Sequence, residues 1–172
     1  MRGENDYILM PNGVPSNFQY KEFIKSITAL RRGIKNVPKE SQWQSIEKLV
    51  IFILQPLRTR FGRVRITSGF RSPELCEAIG SSKSSNHTRG EAADIEPLAK
   101  NVTLMDILKY THKNLPHREL IAEYFPDGWV HVAYREGANT ETLKLKDEHH
   151  NYERVDLEYI VELYTRPGTI LL

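Results

Sequence analysis

The spacing of apolar residues changes part of the way along this chain, and that change limits the fold more than any other feature of the sequence. In the first third, apolar residues recur at helical spacing, most clearly in one run: Trp43, Ile46, Leu49, Val50, Ile53 and Leu57. Later segments alternate apolar and polar residues or are short and apolar, as strands are: RVRITSG, AADIEP, ELIAEYF and WVHVAY. Helices followed by strands predict an α+β fold, with a small, mainly antiparallel sheet flanked by helices.

Two helices are predicted in the first third of the chain. The segment YKEFIKSITAL places Phe23, Ile27 and Leu30 on one stripe, which indicates a first amphipathic helix. A longer and well-buried helix follows a cap at Ser41 and is interrupted or bent near Pro56. Because strands and helices do not alternate regularly afterwards, and no glycine-rich phosphate loop follows a strand, a doubly wound nucleotide-binding fold is excluded.

Shorter elements are predicted in the rest of the chain. Ser72 caps a helix over residues 73–79, and Thr103 caps a further helix. The turn at residues 126–128 joins the strands ELIAEYF and WVHVAY into a hairpin, and VDLEYIVELY predicts a final helix.

Length and composition limit the domain organisation. With 172 residues, 40% of them hydrophobic, the chain fits one globular domain. Residues 1–17 are rich in turn formers and are expected to form an N-terminal arm before a domain over residues 18–135. Residues 136–172 are expected to form a C-terminal extension that packs on that domain or docks from it. The single cysteine, Cys76, excludes a disulfide framework and a zinc site of several cysteines.

Charge and hydropathy argue against two kinds of partner. The net charge is only +2 and basic residues are interleaved with acidic ones, so no nucleic-acid partner is expected. The longest apolar run, residues 49–54, is far shorter than the roughly 20 residues that cross a bilayer, so no membrane insertion is expected. The polar N-terminal residues do not resemble a secretory signal peptide, which predicts that something else must deliver the protein to any substrate outside the cytoplasm.

The segment SSNHTRGEAADIEP contains the first candidate metal ligands. His87 lies in a predicted loop and Asp94 in the strand that follows, so the turn between them can bring both side chains to one edge. A catalytic zinc takes three ligands from His, Asp and Glu and keeps one position open, and His131 in the apolar strand WVHVAY is the best third candidate. Taken singly, these residues also fit a polar loop, a strand-end cap and a hydrogen-bonded core histidine.

The combination of segments resembles a known family. RITSGFRSPELCEAIGSSKSSNHTRGEAADIEP followed by ELIAEYFPDGWVHVAY closely resembles the hedgehog/DD-peptidase group of zinc peptidases, which includes D-alanyl-D-alanine carboxypeptidases and the L-alanyl-D-glutamate endopeptidases of phages and bacteria. With the helical lead-in SITALRRGIKNVP, similar to that of a phage-rich branch, the resemblance covers about residues 18–134. It implies a Zn²⁺ ion held by His87, Asp94 and His131.

The resemblance also implies roles in substrate binding for two residues. Arg71 follows a strand in a glycine-containing turn, where its guanidinium can present several donors to a carbonyl or a carboxylate. The matching arginine of the family helps to hold the substrate and the developing oxyanion, and a surface salt bridge is the alternative role for Arg71. Ser85 matches a serine that contacts substrate.

The general base is the point at which this sequence departs from part of the family. Many members carry Asp or Glu three residues before the last histidine, where this chain has Gly128. If residues 126–128 form a three-residue loop with Gly128 in the left-handed conformation, Glu123 lies opposite His131 on the same face. Glu123 is therefore the first candidate for the base and Asp127 the second, while a role of Glu123 in orienting a ligand histidine is the alternative.

Together with the candidate ligands, the resemblance implies a zinc metallopeptidase, either a carboxypeptidase or an endopeptidase, that hydrolyses the stem peptides of peptidoglycan and so degrades the cell wall. The phage-rich branch adds the expectation of an endolysin-like or virion-associated enzyme, found in the host cytoplasm before lysis or on the virion. The alternative is a phage structural or wall-binding component with weak or no catalysis, whose extension over residues 136–172 docks on particle proteins or on a second copy. Two histidines and a carboxylate also describe the iron site of oxygenases, but the segment SGFRS and the His-to-Asp spacing match the peptidases.

Overall fold

A six-stranded β-sheet forms the centre of the computed structural model, which describes residue 3, residues 6–138 and residues 142–165. A separate two-stranded hairpin comes first in the chain, β1 (Tyr7–Leu9) with β2 (Pro15–Gln19). The large sheet consists of β3 (Val64–Ser68), β4 (Ala92–Pro97), β5 (Glu119–Glu123), β6 (Trp129–Ala133), β7 (Thr142–Lys146) and β8 (Tyr152–Arg154). Its spatial order is β3-β4-β6-β5-β7-β8, and its neighbours run antiparallel except β5 and β7, which are parallel.

Helices pack around this sheet. They are α1 (Lys21–Ile24), α2 (Ile27–Arg32), α3 (Glu40–Leu49), α4 (Gln55–Phe61), α5 (Pro73–Ala78), α6 (Leu104–Asn114) and α7 (Leu157–Thr165), with a π-helical segment over Val50–Leu54 and a 3₁₀ turn over Asn86–Arg89. Helix α6 contacts β4, β5 and β6, and α4 contacts β3 and α6. The predicted α+β fold, with a mainly antiparallel sheet flanked by helices, is confirmed.

Alternation along the central strands separates the core from the site. On one face the buried residues are apolar: Ala93 and Ile95 of β4, Leu120 and Ala122 of β5, and Val130 and Val132 of β6. The residues between them point to the other face, because successive side chains of a strand alternate. That second face therefore carries Asp94, Glu123 and His131.

The long buried helix is present as a continuous run from α3 through the π-helical segment to α4. Ile46, Leu49, Ile53 and Leu57 are buried in the core, and the π-helical segment ends just before Pro56, which has no N–H for a helical hydrogen bond. The irregularity predicted near Pro56 is present as this π-helical segment, but the helix continues through Pro56 as α4. The predicted cap at Ser41 is wrong, because α3 begins at Glu40 and the Gln42 side chain accepts a hydrogen bond from the Lys39 N–H at 2.7 Å.

The predicted first amphipathic helix is also wrong. The segment forms two short helices instead of one, because the backbone is extended at Ser26, between α1 and α2. The Ser26 hydroxyl accepts a hydrogen bond from the Ala29 N–H at 3.1 Å and so caps α2. Ile27 and Leu30 of α2 are 70% and 83% exposed, whereas Phe23 of α1 is buried. Local capping has overridden the apolar stripe read from the sequence.

Both ends of the described chain add strands that the sequence pattern did not predict. Ile8 of β1 and Phe18 of β2 are buried in the main core, so the hairpin packs on the helices. Near the other end, β7 and β8 extend the sheet beyond β5, and the predicted final helix is present as α7. A search of the described residues finds no helix with the length and apolar character needed to cross a membrane.

Candidate metal centre

Three separate elements bring His87, Asp94 and His131 together. His87 lies on the 3₁₀ turn, Asp94 on β4 and His131 on β6, and the antiparallel register places Asp94 directly opposite His131. The turn ends at Gly90, which has a left-handed φ of 72° and would place a Cβ only 2.4 Å from the Gln42 carbonyl oxygen of α3. Glycine at this position therefore allows the chain to reverse tightly into β4 with His87 facing the sheet.

The three side chains form a small, buried triangle of ligand atoms. His131 Nδ1 lies 2.8 Å from Asp94 Oδ1, and His87 Nε2 lies 3.2 Å from both Asp94 Oδ1 and His131 Nδ1. All three residues are buried, and they are the group among the described residues that could hold a metal ion. Two imidazole nitrogens and one carboxylate oxygen form a donor set that a zinc site uses, with a further position left for a substrate or water.

The protonation states of His87 and Asp94 suit a cation, whereas His131 has to lose a proton to bind one. Burial would lower the pKa of His131, but its hydrogen bond with Asp94 and the nearby carboxylates outweigh this effect and raise the pKa. The Nδ1–H of His87 donates to the Gly69 carbonyl oxygen at 2.6 Å, which leaves the Nε2 lone pair facing the other ligands. Burial lowers the pKa of His87, although Asp94 acts against it, so the imidazole is neutral near pH 7. Burial alone would raise the pKa of Asp94, but the two histidines outweigh it and hold this pKa well below its ordinary value. The residues present therefore fit a zinc ion.

The other ring nitrogen of His131 faces a carboxylate that the sequence reasoning missed. His131 Nε2 is buried without a hydrogen-bond partner among the described residues and lies 3.8 Å from Glu119 Oε1. Glu119 in turn accepts hydrogen bonds from Asn86 at 3.1 Å and from Lys144. At 3.8 Å the two atoms do not form a hydrogen bond, but a carboxylate beside a ligand imidazole can orient its ring when they approach more closely. The sequence did contain a signal: Glu119 and Glu123 are four residues apart in ELIAEYF, so in a strand with a period of two they lie on the same face.

Arg71 lies against the ligand triangle. Its guanidinium forms an ion pair with Asp94 Oδ2, the oxygen that is not shared with the histidines, and its Nε donates to Ser68 Oγ at 2.8 Å. The Arg71 side chain is 18% exposed and lines the cleft above the triangle. Ser85 also lines this cleft, and its hydroxyl accepts a hydrogen bond from the His87 N–H at 3.3 Å.

The register of the β5–β6 hairpin differs from the prediction. Ile121 lies opposite His131, and Glu123 pairs with Trp129, so the connection runs over residues 124–128 instead of three residues. The register has moved by two residues, which keeps Glu123 on the face of His131 because side chains alternate with a period of two. Glu123 is buried, and its Oε1 lies 4.0 Å from His131 Nδ1.

Gly128 occupies a position that has no room for a side chain. A Cβ at this residue would lie 1.9 Å from the Glu123 carbonyl oxygen and 2.8 Å from that of Tyr124. The predicted left-handed conformation of Gly128 is wrong, since the residue of this loop with a positive φ is Tyr124, at 54°. Asp127 is exposed in the same loop and is not among the residues that line the cleft.

The cleft above the triangle has a volume of about 1150 Å³ and is polar. One wall contains serines and basic side chains, namely Ser81, Ser82, Ser84, Ser85, Arg71 and Arg89. The opposite wall comes from the end of the described chain and includes Lys144, Lys146, His150 and Tyr152. Such a cleft suits a ligand that is rich in carbonyl and carboxylate oxygens.

A comparison with family models gives one match, described as Peptidase M15, over residues 16–133. This range includes the three candidate ligands, Arg71 and Glu123, and it ends with β6, so that β7 and β8 lie beyond it. No match was found among the curated proteins.

Proposed function

The chain belongs to the peptidase M15 family, the zinc peptidases of the hedgehog/DD-peptidase group, and on that premise we propose that it is a zinc-dependent peptidase that hydrolyses the stem peptides of peptidoglycan. The observation that carries this proposal is the buried triangle of His87, Asp94 and His131 at the bottom of an open cleft, with a carboxylate beside it. The serines and basic side chains that line the cleft also favour a substrate peptide that carries carboxylates, as stem peptides do.

The ligands and the base have separate tasks in this proposal. His87, Asp94 and His131 would hold the zinc ion, which would supply a Lewis acid for the scissile carbonyl and for the attacking water. Glu123 takes a proton from the attacking water and later delivers it to the leaving amine, because its Oε1 lies within 4.0 Å of a ligand atom. Asp127 remains the second candidate for this task, but its exposed position outside the cleft favours Glu123.

Arg71 and Ser85 act on the substrate. The guanidinium of Arg71 is held by Asp94 and Ser68, so its direction is fixed before the substrate arrives. A fixed cation beside the reacting carbonyl stabilises the oxyanion or anchors a substrate carboxylate without reorganisation during the reaction. The Ser85 hydroxyl lies on the same wall and can contact a peptide group of the substrate.

Digestion of purified peptidoglycan tests the proposal. Zinc-loaded protein is incubated with purified sacculi, new amino termini are labelled, and the soluble fragments are identified by mass spectrometry, with a related enzyme in parallel. We expect new amino termini from the wild type and a loss of about a hundredfold or more in Glu123→Gln, because proton transfer contributes that much to such reactions. Asp127→Asn tests the second candidate for the base, and its activity should stay near that of the wild type if Glu123 is the base. The absence of new amino termini, while the related enzyme produces them, would contradict the proposal.

The resemblance to a phage-rich branch extends the proposal to the setting, an endolysin-like enzyme released at lysis or an enzyme carried on a virion. The competing function is a phage structural or wall-binding component with weak or no catalysis. The glycine at position 128, where many members of the family carry an acid, and the extension over residues 136–172 are the features that motivate it. The position of Glu123 beside the ligands favours the enzyme. If the protein sediments with sacculi and its turnover does not change when Glu123 and Asp127 are both replaced, the binding component is the better description.

A further inference from the structure

Strand β7 lies beside β5 and brings two lysines within reach of two glutamates, one pair directly across the strands and one pair diagonally. The two strands are parallel, with Glu119 next to Thr142, Ile121 next to Lys144 and Glu123 next to Lys146. Leu143 and Leu145 of β7 are buried in the core, so alternation places the two lysines on the cleft face. Lys144 pairs with Glu119, and Lys146 pairs with Glu123.

Lys146 is held on several sides. Its Nζ donates to Glu123 Oε2 at 2.8 Å and lies 5.0 Å from the ring centroids of both Tyr124 and Tyr152. Its side chain is 14% exposed. Burial would lower the pKa of Lys146, but its hydrogen bonds with Glu123 and Tyr152 outweigh this effect and raise the pKa above its ordinary value. The side chain is therefore a fixed cation.

The two oxygens of Glu123 have different surroundings. Oε2 is bound to Lys146, whereas Oε1 faces His131 Nδ1 at 4.0 Å. The carboxylate is at the end of β5, where the loop over residues 124–128 begins, so its direction depends on this contact across the strands. Gly128, at the position of the family acid, offers no side chain and has no room for one.

We propose that Lys146 is a positioning residue of the active site, which holds Glu123 so that one carboxylate oxygen faces the ligand triangle. Strand β7 would then be part of the catalytic machinery although it lies beyond residues 16–133, the range of the family match. This inference rests on the proposed function, because it assigns Glu123 the role of base.

Four variants separate this role from a general effect on folding. Lys146→Met removes the charge but keeps the length of the side chain, Lys146→Arg keeps the charge, and Glu123→Gln removes the base. Lys48→Met is the matched control, because Lys48 forms an exposed ion pair with Glu136 away from the cleft. The measurements are kcat and KM on a peptidoglycan peptide, zinc content, thermal unfolding, and crystal structures of the wild type and the variants.

We expect kcat of Lys146→Met to fall about ten- to a hundredfold with KM nearly unchanged, because a misplaced base costs about that much. Zinc content should not change, Lys146→Arg should recover most of kcat, and Lys146→Met should have no further effect in Glu123→Gln, since Lys146 acts through Glu123. In the crystal structure of Lys146→Met the Glu123 carboxylate should leave its place beside His131, and it should keep that place in Lys48→Met.

Two results would overturn the inference. One is a Lys146→Met enzyme of unchanged kcat beside an inactive Glu123→Gln, which leaves the proposed function in place. The other is a Glu123 carboxylate that keeps its position in the Lys146→Met crystal structure, a result that decides the question even if the wild type does not cleave peptidoglycan. Lys146→Gln replaces the methionine variant if that variant does not fold, with an intermediate loss of kcat expected.

Discussion

Replacement of Gly128 by aspartate would place an acid at the position where many members of the family carry one. We expect this change to lower both the stability and the activity of the protein. The new Cβ would lie 1.9 Å from the Glu123 carbonyl oxygen, whereas ordinary contacts begin at 3.4 Å. The backbone must therefore open by about 1.5 Å, the difference between these distances. The opposing atom belongs to the backbone of β5, so rotation of a side chain cannot relieve the contact.

The cost follows from the part of the hairpin that has to move. Forced backbone shifts cost about 1–3 kcal/mol, and each hydrogen bond lost between Glu123 and Trp129 adds about 1 kcal/mol. We therefore expect the free energy of unfolding to fall by about 2–5 kcal/mol in both Gly128→Asp and Gly128→Ala. For a chain of this size, each kcal/mol corresponds to about 2–4 °C in Tm, so both variants should melt roughly 4–20 °C lower.

Thermal unfolding followed by circular dichroism, with kcat/KM measured at a temperature where each variant is folded, tests this expectation. Gly137→Ala is the control for a glycine with open space around it, because a Cβ there would meet nothing within 4 Å. Its expected cost of about 1–2 kcal/mol comes only from the positive φ of Gly137, which Gly128 does not share. We expect kcat/KM of Gly128→Asp to be below that of the wild type, since Glu123 is displaced. A Gly128→Asp variant with a wild-type Tm and increased kcat would refute the description of this hairpin.

Two further predictions concern ions. The Glu91 carboxylate is buried and accepts hydrogen bonds from Arg135 and Arg89; burial would raise the pKa of Glu91, but these contacts outweigh it and lower the pKa below 4.5. Its stabilising effect is therefore present above pH 4.5 and lost as pH falls through the lowered pKa. Glu91→Gln should unfold in urea with a free energy about 1–3 kcal/mol lower at pH 7, and this difference should shrink as the pH falls below 4.5. A difference that does not change with acidification would contradict this reasoning. Zinc present at 100 to 1,000 times its Kd should raise the free energy of unfolding by about 3–4 kcal/mol, so removal of zinc by a chelator should lower Tm. Tm should recover when zinc is added, and Asp94→Asn should abolish this dependence. A Tm that does not respond to chelation would count against a metal at the triangle.

Local chemistry made much of the fold predictable from the sequence. Ser72 and Thr103 each accept a hydrogen bond from the backbone N–H three residues later, as their positions before α5 and α6 indicated. The strands around Asp94 and His131 were visible as short apolar segments. Their pairing depends on contacts between distant parts of the chain, so periodicity alone did not bring the candidate ligands together, and the resemblance to a family was needed.

The features that the sequence did not predict depend on long-range contacts. The hairpin register depends on the conformation of residues 124–128, where Tyr124 takes a left-handed φ that its residue type does not suggest. Glu123 remained on the correct face only because the register error was an even number of residues. TLKLK is too short and too polar to stand out as a strand, and the partners of its lysines, Glu119 and Glu123, lie more than 20 residues earlier.

The parallel pairing of β5 with β7 has a consequence for the behaviour of shorter versions of this chain. Without β7, β5 would be the outermost strand of the sheet, and its outward N–H and C=O groups would be open to pairing with another chain. In the full sheet the outermost strand on that side is β8, which has only three residues, all of them exposed and two of them charged, Glu153 and Arg154. In a fragment that stops after β6, the edge of the sheet would be β5, which is longer than β8 and largely apolar. We expect such a fragment to aggregate by pairing between strands of different molecules.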